Sequence, residues 1–305
     1  VKKCYSLVLA AGDHVEFYAS HNFREWTKTG EFKAGDHGLG GICECPDCFP
    51  LPTEDGEKWI LVISMILPRE QIGADNDIYH RMSHNTQYYI GAFDGDTFYD
   101  TEQSPVPLLM DYGTDNYAAV TFQNLEEKVM IGWADNWDYA NFAPTDANGF
   151  RGKMTLARRM ELIHTDSGYR LAFSFEGIDG LRCRSYPLPQ GENRLRSHSF
   201  GLKVTAEGTG SILLKNHRGE LIAIRITESE IIVDRTEAGQ NDFNEAYAQP
   251  SYGRTHAPRI RRGGTTKLEL ILDKCILELL ADDGLIPVTV SVYPTRPYEK
   301  LCILG

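Results

Sequence analysis

The sequence lacks long apolar runs and an excess of basic residues. No apolar stretch approaches the roughly 20 residues that a membrane-spanning helix needs, and the longest are short segments such as Trp59 to Leu67. The 305 residues carry 31 basic and 43 acidic side chains, a net charge of −12, whereas binding a nucleic acid needs a basic face. These absences predict a protein with neither a membrane nor a nucleic acid as its partner.

The cysteines lack the pairing expected of a disulfide framework. There are seven, an odd and scattered number, which fits a reducing compartment and predicts a cytoplasmic rather than a secreted protein. Cys43, Cys45 and Cys48 could form part of a zinc site with a fourth ligand such as His37, but a second Cys-x-x-Cys pair is missing. We therefore expect no metal and no other cofactor, with a metal-binding protein as an alternative.

The start of the chain lacks an initiator methionine and a signal peptide. Val1 leads almost directly into an apolar, strand-like segment that begins at Cys4. We expect an N-terminally truncated sequence, from which targeting cannot be read.

Helix signals are scarce, and short apolar segments alternate with turns rich in Gly, Asp and Asn. Such segments run through residues 6–20, 59–64, 87–93 and 117–133. Repeated antiparallel units of this kind are typical of a β-propeller, although a β-sandwich gives similar strand spacing.

The composition changes after residue 184. Residues 185–191 form a Pro/Gly-containing linker, and short strand-like segments without helix signals follow it. The sequence therefore predicts two all-β domains: a propeller over residues 1–184 and a β-sandwich over residues 185–305.

One acidic side chain lies in an unusually apolar and constrained setting. Glu44 lies between Cys43 and Cys45, in a segment flanked by glycines and prolines. Desolvation favours the protonated form of a carboxyl group, as a general acid needs. A turn in which Asp47 caps the backbone and Glu44 is exposed is the alternative explanation.

Two further segments combine aromatic, amide and carboxylate side chains. Residues 131–140 include Trp133, Asn136 and Trp137, and such mixtures bind sugars, with rings against the apolar faces and polar groups on the hydroxyls. Aromatic packing between blades explains the same residues equally well. Residues 111–117, which begin with Asp111, read by themselves as a turn with two spare carboxylates.

Taken together, these segments resemble glycoside hydrolase family 32, the β-fructosidases that include invertases, levanases, exo-inulinases and sucrose-6-phosphate hydrolases. Four segments match in the family's order and cover nearly the whole chain. They are Glu44-Cys-Pro-Asp47, residues 111–119, residues 132–156, and a C-terminal segment whose matches lie at 232–236 and 272–284.

The resemblance implies a five-bladed β-propeller, here incomplete at its N-terminus, followed by a C-terminal β-sandwich. It implies retaining hydrolysis of terminal β-D-fructofuranosyl bonds in sucrose or fructans such as levan and inulin, without a cofactor. Glu44 matches the general acid/base. Asp111 and Trp133 match positions that hold the fructosyl unit. The same segments supply three further candidate substrate contacts, Asp47, Tyr117 and Asn136.

Two family motifs are absent from this sequence. Neither the Trp-Met-Asn-Asp-Pro-Asn-Gly motif that carries the nucleophile nor the Arg-Asp-Pro motif that stabilises the transition state occurs. Loss of a nucleophile removes most of the rate of such an enzyme. A non-catalytic fructoside-binding β-protein, or an inactive fragment, is therefore the alternative. The preference between sucrose, its phosphate and fructans, and the oligomeric state, cannot be read from the sequence.

Overall fold

The N-terminal part of the chain consists of up-and-down antiparallel sheets. The computed structural model describes residues 4–68, 72, 78–79, 82–181, 185, 187–260 and 264–305. Within these ranges the N-terminal part has three sheets, each built from consecutive strands. They contain β1 (Tyr5–Ala10), β2 (Val15–Ser20) and β3 (Thr27–Phe32); β4 (Ile42–Thr53), β5 (Gly56–Ile66), β6 (His84–Phe93) and β7 (Phe98–Asp100); and β8 (Tyr117–Thr121), β9 (Val129–Trp133), β10 (Arg158–Thr165) and β11 (Gly168–Phe175).

Local turn chemistry joins the strands. Gly56, the first residue of β5, and Gly95, between β6 and β7, have φ angles of 130° and 95°, which residues with a side chain rarely adopt. Beside Gly95, the Asp94 side chain accepts hydrogen bonds from the amides of Asp96 and Thr97, each 2.9 Å long. These turns reverse the chain tightly enough to pair neighbouring strands.

The middle sheet is buried on both faces because the other two sheets pack against it. Leu61, Ile63 and Met65 of β5 share one apolar cluster with residues of the first sheet. Ile60 and Val62 point the other way, into a cluster shared with the third sheet. This explains why β5 reads as a continuous apolar segment rather than an alternating one.

The C-terminal part is a two-layer β-sandwich. A six-stranded sheet, in the order β12-β21-β14-β15-β16-β17, packs against a four-stranded sheet, in the order β13-β18-β19-β20. The strands are β12 (Gly191–Arg194), β13 (Ser199–Glu207), β14 (Gly210–Lys215), β15 (Leu221–Ile226), β16 (Glu230–Glu237), β17 (Arg254–Pro258), β18 (Thr265–Asp273), β19 (Ile276–Ala281), β20 (Ile286–Ser291) and β21 (Lys300–Leu304). Two one-turn helices, α1 (Glu245–Ala248) and α2 (Pro250–Gly253), lie between β16 and β17. The described residues also contain short 3-10 helices at Ala34–Asp36, Ala140–Phe142, Asp146–Asn148 and Asp179–Leu181.

The four-stranded sheet of the sandwich packs directly on the sheets of the N-terminal part. All residues of β19 and β20 are buried, since the sandwich core covers one face and the N-terminal sheets cover the other. Leu279 lies in the sandwich core, whereas the adjacent Leu280 lies in the cluster of the second and third sheets. Backbone bonds cross the contact, including Tyr112 N–H to Pro287 O at 2.9 Å.

The predicted all-β architecture, with propeller sheets followed by a β-sandwich, is confirmed. The boundary predicted between residues 184 and 185 stays a prediction, because residues 182–184 and 186 lie outside the described residues. In the described ranges no helix is both long enough and apolar enough to cross a membrane.

Candidate active site

Glu44 lies at a bulge in β4. It pairs with Ser64 of β5, but the next pair is Asp47 with Val62, so β4 contains one extra residue at this point. Pro46 has no N–H to give to the strand ladder, and Cys45 has a φ angle of 44°, so the local sequence interrupts regular pairing here. The bulge leaves the Glu44 side chain partly exposed, within reach of both solvent and the neighbouring strand β8.

Tyr117, the first residue of β8, contacts Glu44 directly. Its hydroxyl donates a hydrogen bond of 2.7 Å to Glu44 Oε2. Burial, and then this hydrogen bond, raise the pKa of the Tyr117 phenol well above its ordinary value, so the hydroxyl remains a donor. β8 is bulged here too, with Ala118 at a φ angle of 53° and its N–H bonded to Ser64 Oγ at 3.1 Å. The structure therefore brings together two residues that are 73 positions apart.

An aromatic surface lies beside this pair. Trp133 of β9 is the strand partner of Tyr117, and its ring centroid lies 4.8 Å from that of Trp137. Trp137 is 53% exposed and Trp133 partly exposed, so both rings are available to a ligand. Gly152 passes so close to Trp133 Nε1 that a β-carbon would lie 3.0 Å from it. The structure thus brings together the predicted residues Glu44, Tyr117 and Trp133, since Tyr117 bonds to Glu44 and pairs with Trp133, and such a mixture of polar groups and rings suits a sugar ligand.

Asp111, predicted to hold sugar, lies instead in the contact with the sandwich. It is 4% exposed, and Arg158 Nη1, Thr289 Oγ1 and Asn116 Nδ2 all donate to its Oδ2, at 2.8, 2.6 and 3.2 Å. Its Oδ1 accepts bonds from the amides of Gly113 and Thr289. With both oxygens occupied by protein donors, this placement argues against a sugar contact and gives Asp111 a structural role.

Asp47 and Asn136 are also engaged in local structure. Asp47 Oδ2 accepts bonds from the amide and hydroxyl of Thr121, each 2.7 Å long, and so joins β4 to β8. Asn136 is 1% exposed, donates to Thr114 O at 2.9 Å, and accepts from the Asp138 amide at 2.9 Å. These bonds occupy one oxygen of Asp47 and both polar atoms of the Asn136 amide, and the predicted substrate contacts of both residues stay predictions.

Sequence reasoning missed a cluster next to Tyr117. The His84 ring lies edge-on to the Tyr117 ring, with centroids 5.4 Å apart and planes at 87°. Nδ1 of His84 lies 2.6 Å from Ser83 Oγ and 3.6 Å from Asp138 Oδ2. Ser83 and Tyr252 both donate hydrogen bonds to the same Asp138 oxygen. No motif singles out a lone histidine at the start of a strand, so the sequence held no signal for this cluster.

Within residues 131–140, here called the Trp-rich segment, the buried Asp135 and the partly exposed Asp138 differ in their electrostatics. Burial would raise the pKa of Asp138, but hydrogen bonds from His84, Ser83 and Tyr252 lower it below its ordinary value. Burial raises the pKa of Asp135 to about 6, against the opposing Lys153 ammonium group 3.4 Å away. Asp138 is therefore held as an anion, whereas Asp135 titrates in a mildly acidic range.

The cysteine segment does not form a metal site in the part of the chain that is described. No group of three or more His, Cys, Asp or Glu side chains there is placed to hold a metal ion. Burial raises the pKa of Cys43 to about 11 and that of Cys48 to about 12, so both thiols are neutral and poor ligands. His37 stacks on Phe32 and lies 3.3 Å from an Asp100 oxygen, away from the cysteines. Cys183 lies outside the described residues, and the preference for a reducing compartment stays a prediction.

Comparisons with known proteins show similar sequences along most of the chain. A levanase of Bacillus subtilis (strain 168) is 29% identical over 326 residues, which cover 98% of this chain and 46% of that protein. A levanase of Bacillus sp. (strain L7) is 28% identical over 312 residues, covering 94% of this chain and 32% of that protein. An extracellular exo-inulinase of Aspergillus awamori is 26% identical over 306 residues, covering 91% of this chain and 54% of that protein. The chain thus spans between about a third and about a half of the length of these relatives.

The fold has solved counterparts. The crystal structure of exo-inulinase from Aspergillus awamori superimposes with a TM-score of 0.83 at 24% identity, over 99% of this chain and 61% of that one. The family model described as the N-terminal domain of glycosyl hydrolases family 32 matches residues 1–173, and the model of the family's C-terminal domain matches residues 140–303. Since the first model alone matches more than half of the chain and the second continues to near its last residue, this chain belongs to glycosyl hydrolase family 32.

Proposed function

We propose that this chain supplies the acid/base side of a site that hydrolyses terminal β-D-fructofuranosyl bonds of fructans or sucrose with retention of configuration. The observation that carries the proposal is the pair of Glu44 and Tyr117, whose oxygens lie 2.7 Å apart beside the exposed rings of Trp133 and Trp137. Family membership supports it, as do relatives named levanase and exo-inulinase that match more than nine-tenths of this chain.

In the first step Glu44 acts as a general acid. A nucleophilic carboxylate attacks the anomeric carbon of the fructosyl unit, the glycosidic bond breaks, and the Glu44 proton passes to the leaving oxygen. Glu44 thereby becomes a carboxylate. The Tyr117 hydroxyl donates to Oε2, and it stabilises this charge more strongly than it stabilises the neutral acid.

In the second step the same side chain acts as a general base. The Glu44 carboxylate takes a proton from water, whose oxygen attacks the anomeric carbon and releases the nucleophile. Two inversions at that carbon give net retention. No residue of this chain is assigned as the nucleophile, because its family motif is absent from the sequence.

The test compares Glu44→Gln with Glu54→Gln in the protein expressed from its complete reading frame. Glu54 lies exposed in the β4–β5 turn, so it controls for the same chemical change outside the site. We expect fructose release from levan, inulin and sucrose to fall about 10²- to 10⁴-fold in Glu44→Gln only, since general acid–base catalysis contributes that much. Unchanged release by Glu44→Gln would contradict the assignment.

Azide provides an independent test of the two roles. With 4-nitrophenyl β-D-fructofuranoside, whose leaving group needs no acid, Glu44→Ala can still form the intermediate; azide needs no general base, so it should restore the second step and yield a β-fructosyl azide of retained configuration. An azide of inverted configuration would exclude retention.

A non-catalytic fructoside-binding role is the second candidate. It is favoured by one observation: the family motifs that carry the nucleophile and the transition-state-stabilising aspartate do not occur in this sequence. Binding of a fructose oligomer without release, weakened in Trp133→Ala but unchanged in Trp26→Ala, would support this candidate. Trp26 is a partly exposed tryptophan next to the first sheet, and so a matched control.

A further inference from the structure

The acid/base Glu44 is connected to the sandwich through a continuous series of side chains. The Tyr117 hydroxyl contacts Glu44, the Tyr117 ring contacts His84, and His84 contacts Asp138. Tyr252, which lies in α2 between two sandwich strands, donates to Asp138. We propose that His84, anchored by Asp138 and thereby by the sandwich, is a positioning residue that holds the Tyr117 hydroxyl on the acid/base Glu44. This inference rests on the proposed function and adds a role for His84, which lies outside the family segments.

His84 is placed to restrict the Tyr117 ring. Its side chain is 11% exposed, and its ring edge meets Tyr117 at 5.4 Å in the perpendicular arrangement that aromatic pairs prefer. The hydroxyl of Tyr117 has one protein partner among the described residues, and that partner, Glu44, is itself partly exposed. The Tyr117 ring is 3% exposed, so packing sets its position, and the edge of His84 is one of the contacts that do so.

The imidazole is in turn held by its Nδ1 atom. Ser83 Oγ lies 2.6 Å away and Asp138 Oδ2 lies 3.6 Å away, so the ring cannot rotate without losing both contacts. A purely apolar packing role would not need these polar partners. The nitrogen contacts therefore orient the ring, and the ring orients Tyr117.

Asp138 is fixed from both domains. Its amide donates to Asn136 Oδ1 at 2.9 Å, within the Trp-rich segment. Its carbonyl oxygen accepts from Asn244 Nδ2 at 3.3 Å, and its carboxylate accepts from Tyr252, which is 5% exposed. Both of these donors belong to the segment between β16 and β17 of the sandwich. The sandwich thus contributes to the orientation of an acid that lies in the N-terminal part.

The experiment measures kcat/KM of His84→Ala and Asp138→Asn on two kinds of substrate. Sucrose and inulin have leaving oxygens that must be protonated, whereas 4-nitrophenyl β-D-fructofuranoside has a leaving group that needs no acid. We expect a loss of about threefold to tenfold on sucrose and inulin, from the measured worth of aromatic pairs, and less than twofold on the nitrophenyl substrate. Equal losses on both kinds of substrate would overturn the proposal, because a general folding defect affects both.

The chain offers a matched control. His164 lies edge-on to Tyr169, with centroids 4.8 Å apart and planes at 81°, on β10 and β11 and away from Glu44. His164→Ala removes the same kind of contact and should leave both kcat/KM values unchanged. A loss that matched that of His84→Ala would show that the effect is not specific to the site.

A double mutant separates action through Tyr117 from independent action. If His84 acts through the tyrosine hydroxyl, His84→Ala adds little to the loss already caused by Tyr117→Phe. Losses that multiply would overturn the proposal. Glu44→Gln serves as the reference: if it keeps full activity the proposed function fails, whereas a large loss there with no loss in His84→Ala rejects only the positioning role.

An NMR measurement tests the connection from Asp138 to Tyr117 even if no fructose is released. With tyrosine labelled at 13Cζ, the Tyr117 signal is assigned by its absence in Tyr117→Phe. We expect Glu44→Gln and Asp138→Asn, which both keep the His84 ring, to move this signal. A signal that moves in Glu44→Gln but not in Asp138→Asn would refute the connection.

Discussion

Removal of the Tyr117 hydroxyl tests how much the proposed acid catalysis by Glu44 depends on the hydrogen bond between them. Tyr117→Phe keeps the buried ring and deletes only the hydroxyl that donates to Glu44 Oε2 at 2.7 Å. A hydrogen bond to a charged group contributes about 1.5–3 kcal/mol, equivalent to about 10- to 150-fold in rate. Because the bond also exists before reaction, only its strengthening as Glu44 becomes a carboxylate lowers the barrier. We therefore expect the lower end of this range, about 10-fold.

The assay is again kcat/KM on sucrose or inulin against 4-nitrophenyl β-D-fructofuranoside, since kcat/KM reports the step in which the leaving group departs. We expect the loss only where the leaving oxygen needs a proton. Tyr18→Phe is the control, because the Tyr18 hydroxyl donates to Glu16 at 2.5 Å in the first sheet, outside the site. An equal loss on both substrates, or no loss on sucrose, would refute the reasoning that the hydroxyl stabilises the departing charge.

Three further predictions concern stability, measured as the free energy of unfolding in urea. Arg158→Met leaves buried carboxylates without a counter-charge, so it should lower the free energy of unfolding by about 3–5 kcal/mol. Arg159 is 35% exposed, so Arg159→Met should lower it by less than about 1 kcal/mol; similar costs for the two variants would contradict the role of burial. Burial raises the pKa of Asp135 from 3.8 to about 6, so above pH 6 this group lowers stability by about 3 kcal/mol and below pH 4 it does not. The unfolding free energy of Asp135→Asn should therefore rise, relative to that of the wild type, by about 3 kcal/mol between pH 4 and pH 7. A difference between the two proteins that does not depend on pH would contradict the raised pKa of Asp135. The new methyl group of Gly113→Ala would overlap the backbone of the sandwich strand β20, so this variant should lose several kcal/mol of unfolding free energy. Gly180→Ala places its methyl group in open space and should change that free energy by no more than about 0.5 kcal/mol. Tolerance of both substitutions would show that the domain contact can shift.

The contact between the two domains contains buried charged side chains, which restrict how the domains can move relative to each other. Arg158 joins Asp111 at 2.8 Å and Glu278 at 2.7 Å, and all three side chains are almost fully buried. Buried ion pairs add little net stability relative to apolar packing, but they strongly penalise any displacement that separates the charges. The contact therefore fixes the relative position of the domains, as the series of contacts from Tyr252 to Glu44 requires.

The sequence by itself determined the strand-rich architecture, the family and the acid/base candidate. Alternating apolar residues and turns such as the one at Gly95 act over a few positions, so they could be read without knowledge of distant contacts. Glu44 was found because its neighbours in sequence are distinctive. The prediction for Asp111 also depends on local context, which resembles a sugar-binding turn, whereas the partners that occupy its oxygens in the structure, Arg158 and Thr289, lie 47 and 178 residues away.

Only the tertiary structure decided which polar side chains face the site. Bulges in β4 and β8 turn Glu44 and Tyr117 towards each other, and they turn Asp47 towards Thr121 instead. A shift of one residue reverses the face on which a side chain lies, so these outcomes depend on strand register rather than on residue type. His84 reaches Tyr117 because separate sheets place their strand ends together, and that meeting of distant segments leaves no pattern in the sequence.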